Sequence, residues 1–458
     1  MRAVLVVGSA VSLLACGGHH GAGADAGSDV APPDACIGLA CNVVDCRALG
    51  KAATSVSGTV FAPNGTLPLS GIDVYVPATD PGALPDGASC TRCSDSLPGN
   101  PVVRTISDSA GHFALVGIPA GDDIPVVITT GKWRKRVVLP HVEPCSQQAL
   151  APADTALPAT RAQGDMPRIA ITTGFADSLE CLIRKLGVAD TEITTDQGGG
   201  RVHLYAGTLG KDRFTAGFPG SGGQAFSNAT TLWNSLDKLR QYDIVMFSCE
   251  GANYPETKPQ AAMDAVKAYA DLGGRVFASH WHNVWIEGTN ADQQQKPAVW
   301  PAIATWTNNE MELAAGSSSR IDELANPKGT AFALWMETVG GSTVRDQIAL
   351  QDQLPDDMGV VLSTGRSTCS AVDPAKAERW VYLPDQGGGT QNFQFTTPNE
   401  IADDLRCGKV VFSDMHVASG SSSTGSFPSG CSASALTPQE KALAFMFFDI
   451  ASCVGPIF

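Results

Sequence analysis

The stretch DIVMFSCEGANYPETKPQAAMDAVKAYADLGGRVFASH, residues 243–280, decides the fold. Asp243 to Ser248 is a continuous apolar run of the kind buried on both faces in a parallel sheet. Met263, Val266, Tyr269 and Leu272 follow at helical spacing, and Gly273-Gly274 stops that helix. Arg275 to Ser279 is a second buried strand. A strand, a helix and a strand within this span predict a right-handed parallel crossover.

Outward from this unit the same pattern repeats. Arg168 to Thr173 reads as a strand. Asp177 is placed to cap a helix carrying Leu179, Leu182, Ile183 and Leu186, with Gly187 at its end. Leu232, Leu236 and Leu239 mark another helix. Val360 to Ser363, Arg379 to Leu383, Asn392 to Thr396 and Lys409 to Asp414 read as later strands. Thr437-Pro438-Gln439-Glu440 is a capping box opening a helix that is apolar nearly all round, and hence buried. Residues 165–458 are therefore expected to be an α/β domain with a mainly parallel sheet.

Residues 54–146 read differently. Short β-prone runs, Ser55 to Phe61, Ile72 to Pro77, Val102 to Ser107, His112 to Val116, Ile124 to Thr130 and Arg136 to Pro140, alternate with turn clusters. This predicts an all-β sandwich. Residues 147–164 (QQALAPADTALPATRAQG) read as a Pro/Ala-rich linker between the two parts. Lys132-Trp133-Arg134-Lys135-Arg136 is a basic cluster in an acidic chain. It reads as a solvated strand face, with lipid headgroups or an anionic glycan as the alternative partner.

At the N-terminus, Met1-Arg2, the apolar run Ala3 to Leu14, and Leu13-Leu14-Ala15-Cys16 have secretory-signal architecture. The ending is similar to that of bacterial lipoproteins, which implies residues 1–16 as signal peptide, lipidation at Cys16 and an outer-membrane or cell-surface location. Residues 17–53 read as a tether with a Cys-rich end, its first part (17–35) too poor in bulky apolar residues to fold. Thirteen cysteines leave twelve beyond Cys16, which in an exported chain read as disulfides. Cys90-x-x-Cys93 lacks the second pair that a zinc site needs. The net charge of −15 and the absence of a basic arm argue against nucleic acid as a partner.

Two resemblances extend these readings. Val56-Ser57-Gly58-Thr59-Val60, Leu69 to Val74, Asp108-x-x-Gly111-x-Phe113 and Ile118-Pro119-Ala120-Gly121 resemble the carboxypeptidase regulatory-like domain, a prealbumin-like (Ig-like) sandwich. That resemblance implies a spacing or adhesion module without peptidase activity. Tyr242 to Val245, Tyr269-x-x-Leu272-Gly273-Gly274-Arg275-Val276-Phe277, and Gly408 to Phe412 with His416 beyond resemble the class I glutamine amidotransferase-like fold, its trehalose-utilisation (ThuA-like) branch most of all. His280 stands where amidotransferases carry their nucleophilic cysteine, so glutaminase chemistry is discounted.

Ligands gather beyond the carboxyl ends of parallel strands. Three such ends carry polar groups: Ser248-Cys249-Glu250, Ser279-His280-Trp281-His282-Asn283 with Glu287 behind, and Asp414-Met415-His416. His280, His282 and His416, with Glu250, Asp414 or Glu287, are the candidate catalytic or ligand-binding residues. An H-x-H on extended backbone points both rings to one side, so His280, His282 and His416 are also the candidate ligands of a divalent metal. Trp281 and Trp285 are candidate sugar-stacking faces. Cys249 as a nucleophile and the histidines as purely structural groups are the competing readings. The leading expectation is binding of a carbohydrate or cell-envelope ligand. A hydrolase acting on a glycan or amide through the strand-end histidines, with or without a metal, is the alternative, and a purely structural envelope protein the third.

Overall fold

The computed structural model describes residues 36–289, 294–307, 312–352, 362–385, 389–417, 425–431 and 434–455. Residues 1–16, read as a signal peptide ending at Cys16, and residues 17–35, read as part of a tether, lie outside the described residues, as do Val360 and most of the serine-rich loop after His416. No described helix is long and apolar enough to cross a membrane.

The centre of the molecule is a run of parallel strands in the order 227–228, 202–206, 169–172, 244–247, 275–279, 408–413. Ile169–Thr172, Ile244–Phe247, Arg275–Ser279 and Gly408–Ser413 are buried at every position. Their side chains alternate between two separate apolar clusters. Ile169, Ile171, Ile244, Met246, Phe277 and Val411 pack on one face with the helices Leu179–Lys185 and Pro438–Ala451. Ala170, Val245, Phe247, Val276, Ala278, Val410 and Phe412 pack on the other with Met263, Val266 and Tyr269 of the helix Gln260–Asp271. A continuous apolar run is what such a strand requires, because neither face meets water.

The sheet is mixed rather than mainly parallel. Beyond Gly408–Ser413 the strands Gly389–Thr397, Glu378–Leu383, Ser318–Ile321 and Gln347–Ala349 add antiparallel, within a sheet of thirteen strands. Asn392 to Thr396 and Arg379 to Leu383 were legible as strands, but nothing in their own residues sets direction. The capping box forms as read: Thr437 Oγ1 accepts from Glu440 N (3.2 Å) and Glu440 Oε2 accepts from Thr437 N (2.8 Å).

The β-rich N-terminal part has two sheets. Ser55–Thr59 pairs with His112–Val116 and Gln147–Ala149, while Pro101–Ile106, Asp73–Pro77, Gly121–Thr130 and Trp133–Val142 form a four-stranded sheet. Asp108 Oδ1 accepts from Ala110 N and His112 N, both at 2.8 Å, and Gly111 takes the left-handed φ of +77° that closes this turn. Phe113, next in line, is buried.

This part has no core of its own. Val56, Leu115, Val74, Val126 and Ile128 belong to the same apolar cluster as the helix Pro438–Ala451. Trp133 packs edge-on against Phe447 (5.8 Å, 84°), and Trp335 Nε1 donates to Pro68 O (2.7 Å). From Gly38 onward the chain is one compact unit. The stretch 147–164, read as a linker, is built into it. Gln147–Ala149 is a strand, Thr155 and Leu157 are buried, and Pro158 O accepts from Trp133 Nε1 at 2.8 Å. Alanine and short apolar side chains suit a close-packed seam as well as a free spacer, so composition did not distinguish the two.

Two members of the basic cluster turn inward: Lys132 pairs with Asp243 (2.5 Å) and Arg134 with Asp165 (2.7 Å). Arg136 is exposed and pairs with exposed Asp80 (3.1 Å), as on a solvated strand face.

Disulfides join Cys46 to Cys145, Cys90 to Cys407, Cys93 to Cys453 and Cys181 to Cys431, and Cys36 and Cys41 are also disulfide-bonded. Cys90 and Cys93 thus each staple the β-rich part to the α/β part, over separations of 317 and 360 residues. Loops this long lose much chain entropy when closed. Replacing Cys90 and Cys407 together by serine is expected to lower unfolding free energy by about 2–5 kcal/mol, read from urea midpoints. An unchanged midpoint would show that the Cys93–Cys453 disulfide and the apolar seam hold the two parts together without it.

Candidate functional site

The parallel register of Ile244–Phe247, Arg275–Ser279 and Gly408–Ser413 brings their carboxyl ends side by side. The chain leaves the first as Ser248-Cys249-Glu250 and the third as Asp414-Met415-His416. It leaves the second through a tight 3-10 turn, His280–Asn283, which opens with His280 at the left-handed φ of +41°. A non-glycine residue is uncommon there and is held by its surroundings.

Three side chains converge at this edge. Cys249 Sγ lies 3.4 Å from His280 Nδ1, and the rings of His280 and His416 stand 5.1 Å apart between centroids. One ligand atom from each of Cys249, His280 and His416 falls within 4.8 Å of the others, and all three residues are buried. Burial pushes both imidazoles well below their ordinary pKa; the neighbouring His416 and Arg366 add to this at His280, and Arg366 does so at His416. Both rings are therefore neutral. His416 Nε2 has no hydrogen-bond partner among the described residues.

Asp177 holds the two histidine-bearing ends together. Its Oδ2 accepts from Ser279 Oγ (2.7 Å), next to His280, and its Oδ1 from Val417 N (2.8 Å), next to His416. Oδ1 also accepts from Ser178 N (2.9 Å). Asp177, read above as a helix cap, is thus a positioning residue of the strand ends. The helix begins at Leu179 behind Ser178, with no side-chain cap. The cross-sheet partners of Asp177 lie about 100 and 240 residues away, so no local signal announced them.

His282 does not join the cluster. The expectation rested on extended backbone, whereas the 3-10 turn swings its ring away from that of His280. Its Nδ1 accepts from Trp285 Nε1 (2.9 Å), so its Nε2 carries the proton and donates to Ser248 O (3.0 Å). Burial, aided by Lys258, lowers its pKa to about 3. Trp285 is fully buried with its N–H engaged, and so offers no face to a sugar. Trp281 is half-buried, lies 4.8 Å from the His280 ring, and has an indole N–H without a partner among the described residues.

The carboxylates are also engaged elsewhere. Glu250 pairs with buried Lys258 (2.5 Å) and accepts from Thr208 N (2.6 Å); its nearest approach to His282 is 3.9 Å. Burial pushes the Glu250 carboxyl up, but the neighbouring His282, the charge of Lys258 and these hydrogen bonds bring it below the ordinary value. Asp414 accepts from Thr368 N (2.8 Å), Thr368 Oγ1 (2.6 Å) and Cys369 N (3.2 Å), and burial raises it to about 6. Glu287 is half-buried, accepts from Asn283 Nδ2 (2.7 Å), and is raised by burial to about 7. Lys258, Arg366 and Asp177 are the residues of this edge that sequence reasoning missed.

A separate cleft of about 590 Å³ lies between the outer face of the four-stranded sheet and the helices, lined by Tyr75, Ile106, Trp335 and Phe448 and bordered by Cys90 and Cys93. None of its lining residues comes from the strand ends.

The fold and site define a mixed α/β sheet with a buried Cys–His–His cluster at adjacent strand ends. Solved structures similar to it include a cytoplasmic protein from Salmonella typhimurium (12% identity, 55% of this chain and 89% of that one, TM-score 0.29). They also include a thua-like protein from Bacteroides uniformis ATCC 8492 (11% identity, 61% of this chain and 90% of that one, TM-score 0.31). A cohesin–X-dockerin complex from Acetivibrio cellulolyticus matches 31% of this chain and 75% of that one at 14% identity and a TM-score of 0.16. At these values the matches carry no argument about what this chain does. No family model and no curated protein matches the sequence.

Burial raises the Asp177 carboxyl from 3.8 to about 7, and the charge of Glu180 adds to it. An acid held higher when folded binds its proton more tightly in that state. Its contribution to stability is full below about pH 4 and is lost as pH rises to about 7. Asp177→Asn keeps the acceptor for Val417 and Ser178 and removes the titration. Between about pH 4 and about pH 8, wild type should lose stability relative to this variant in urea unfolding; parallel curves would refute the assignment.

Proposed function

We propose that this chain is an exported envelope protein, anchored through Cys16 at the outer membrane or cell surface, whose α/β part binds a polyhydroxylated ligand at the strand ends. The observation that carries the reading is a pair of buried polar atoms on the turn beside His280: Trp281 Nε1 and Asn283 Oδ1 lack hydrogen-bond partners among the described residues. Buried polar groups are normally paired, and an unpaired one costs about 1–3 kcal/mol. One is a donor and the other an acceptor, which is what a sugar hydroxyl pair satisfies, and the half-buried Trp281 ring supplies the flat face. Ten disulfide-bonded cysteines support an oxidising compartment.

Binding is favoured over hydrolysis by the state of the carboxylates. Glycoside hydrolysis uses two carboxyl groups flanking the scissile bond. Here Glu250 is held by Lys258, and Asp414 by Thr368 and Cys369. The hydrolase reading keeps two supporting observations: the neutral His416 with its unengaged Nε2, a group able to accept a proton, and the half-buried Glu287, whose carboxyl burial raises to about 7.

The test is calorimetric titration of the mature chain with envelope oligosaccharides and peptidoglycan fragments. Trp281→Ala should weaken the binding at least about 10-fold, as loss of a stacked ring plus a hydrogen bond does. Glycan binding unchanged in that variant, or absent from wild type, overturns the reading. Bond cleavage that disappears in His416→Ala would replace it with the hydrolase.

A further inference from the structure

We infer that Cys249, His280 and His416 form a three-ligand site for a borderline-soft divalent cation of the Zn²⁺ class. This site stands or falls independently of the sugar-binding reading, because none of its ligands is a group on which that reading rests.

The donor set comes first. One sulfur and two imidazole nitrogens are the mixture that zinc takes, and three protein ligands leave a fourth position open. Metal–sulfur and metal–nitrogen bonds of about 2.3 and about 2.0–2.1 Å in tetrahedral array place neighbouring ligand atoms about 3.3–3.6 Å apart. The Cys249 Sγ to His280 Nδ1 separation is 3.4 Å. All three ligand atoms lie within 4.8 Å of one another, so the widest separation exceeds the tetrahedral spacing by no more than about 1.5 Å.

Gly251 N donates to Cys249 Sγ at 3.4 Å, which helps to hold the sulfur beside His280. His416 is buried with its Nε2 unpartnered among the described residues, which an ion would satisfy.

The surroundings hold the ligands from outside. Asp177 ties Ser279 to Val417, the neighbours of the two histidines, and Gln439 Nε2 donates to His416 O. Partners of this kind orient metal ligands. Cys249 also remains a thiol in a chain where ten other cysteines are disulfide-bonded. Cys369, the other described cysteine outside a disulfide, is not part of the cluster and serves as the control.

The experiment is metal analysis of the purified mature chain, followed by chelation and titration with Co²⁺ and Zn²⁺. Wild type should take up one equivalent, and the cobalt form should show a thiolate-to-cobalt charge-transfer band. Cys249→Ser should abolish the band. His416→Ala should weaken Zn²⁺ binding by more than the ~10–100-fold that loss of an outer-shell partner costs. Cys369→Ser should change neither. The wild-type cobalt spectrum is decisive even if a variant fails to fold. No stoichiometric uptake, or a spectrum without sulfur ligation, overturns the site, and so does a band that survives in Cys249→Ser. Uptake of copper alone would overturn the assignment to zinc.

Discussion

The structure depends on one constraint: the central strands are buried on both faces. Once Val245 and Phe247 point to one cluster and Ile244 and Met246 to the other, the strand can slide by neither one residue nor two without disturbing a packed layer. The parallel register that follows aligns Ser248, Ser279 and Ser413 at one edge. The candidate residues Cys249, His280 and His416 lie just past those serines, where the backbone leaves the sheet.

That edge is organised by buried polar ties rather than by apolar contact. Asp177 bridges two strand exits, Asp414 is bound by Thr368 and Cys369, and the Glu250–Lys258 pair secures a third. Each tie engages a carboxylate that would otherwise be available for chemistry. Between these supports lie Cys249, His280 and His416, with Trp281 and Asn283 beside them. The left-handed φ of His280 is the local cost of placing its ring there.

The β-rich part is joined to this centre through a shared core, inward-facing cations and two disulfides. Trp133 sits on Phe447 and Phe448, Lys132 reaches Asp243 at the foot of the 244–247 strand, and Cys90 and Cys93 tie to Cys407 and Cys453. The two parts therefore behave mechanically as one body, which places the strand-end site on a rigid support.

Much of this was legible in the residues. The strands His112 to Val116 and Arg275 to Ser279 appear with the boundaries read from their pattern, and the Thr437 capping box forms as its spacing requires. Those features are local: alternation, apolar runs and caps act over a few residues. The candidate site was legible only as a neighbourhood. His280 and His416 were named, but the extended H-x-H premise gave His282 a place it does not take, and Trp285 was offered to a ligand when its indole belongs to the core. The sequence by itself determined which segments are strands and helices, that their ends carry histidines, and that the cysteines favour disulfides. Tertiary structure decided sheet direction, disulfide pairing, and which polar groups are engaged and which remain open. Those outcomes depend on contacts between residues up to 360 positions apart, and the free energy of such contacts is set by packing that no local pattern encodes.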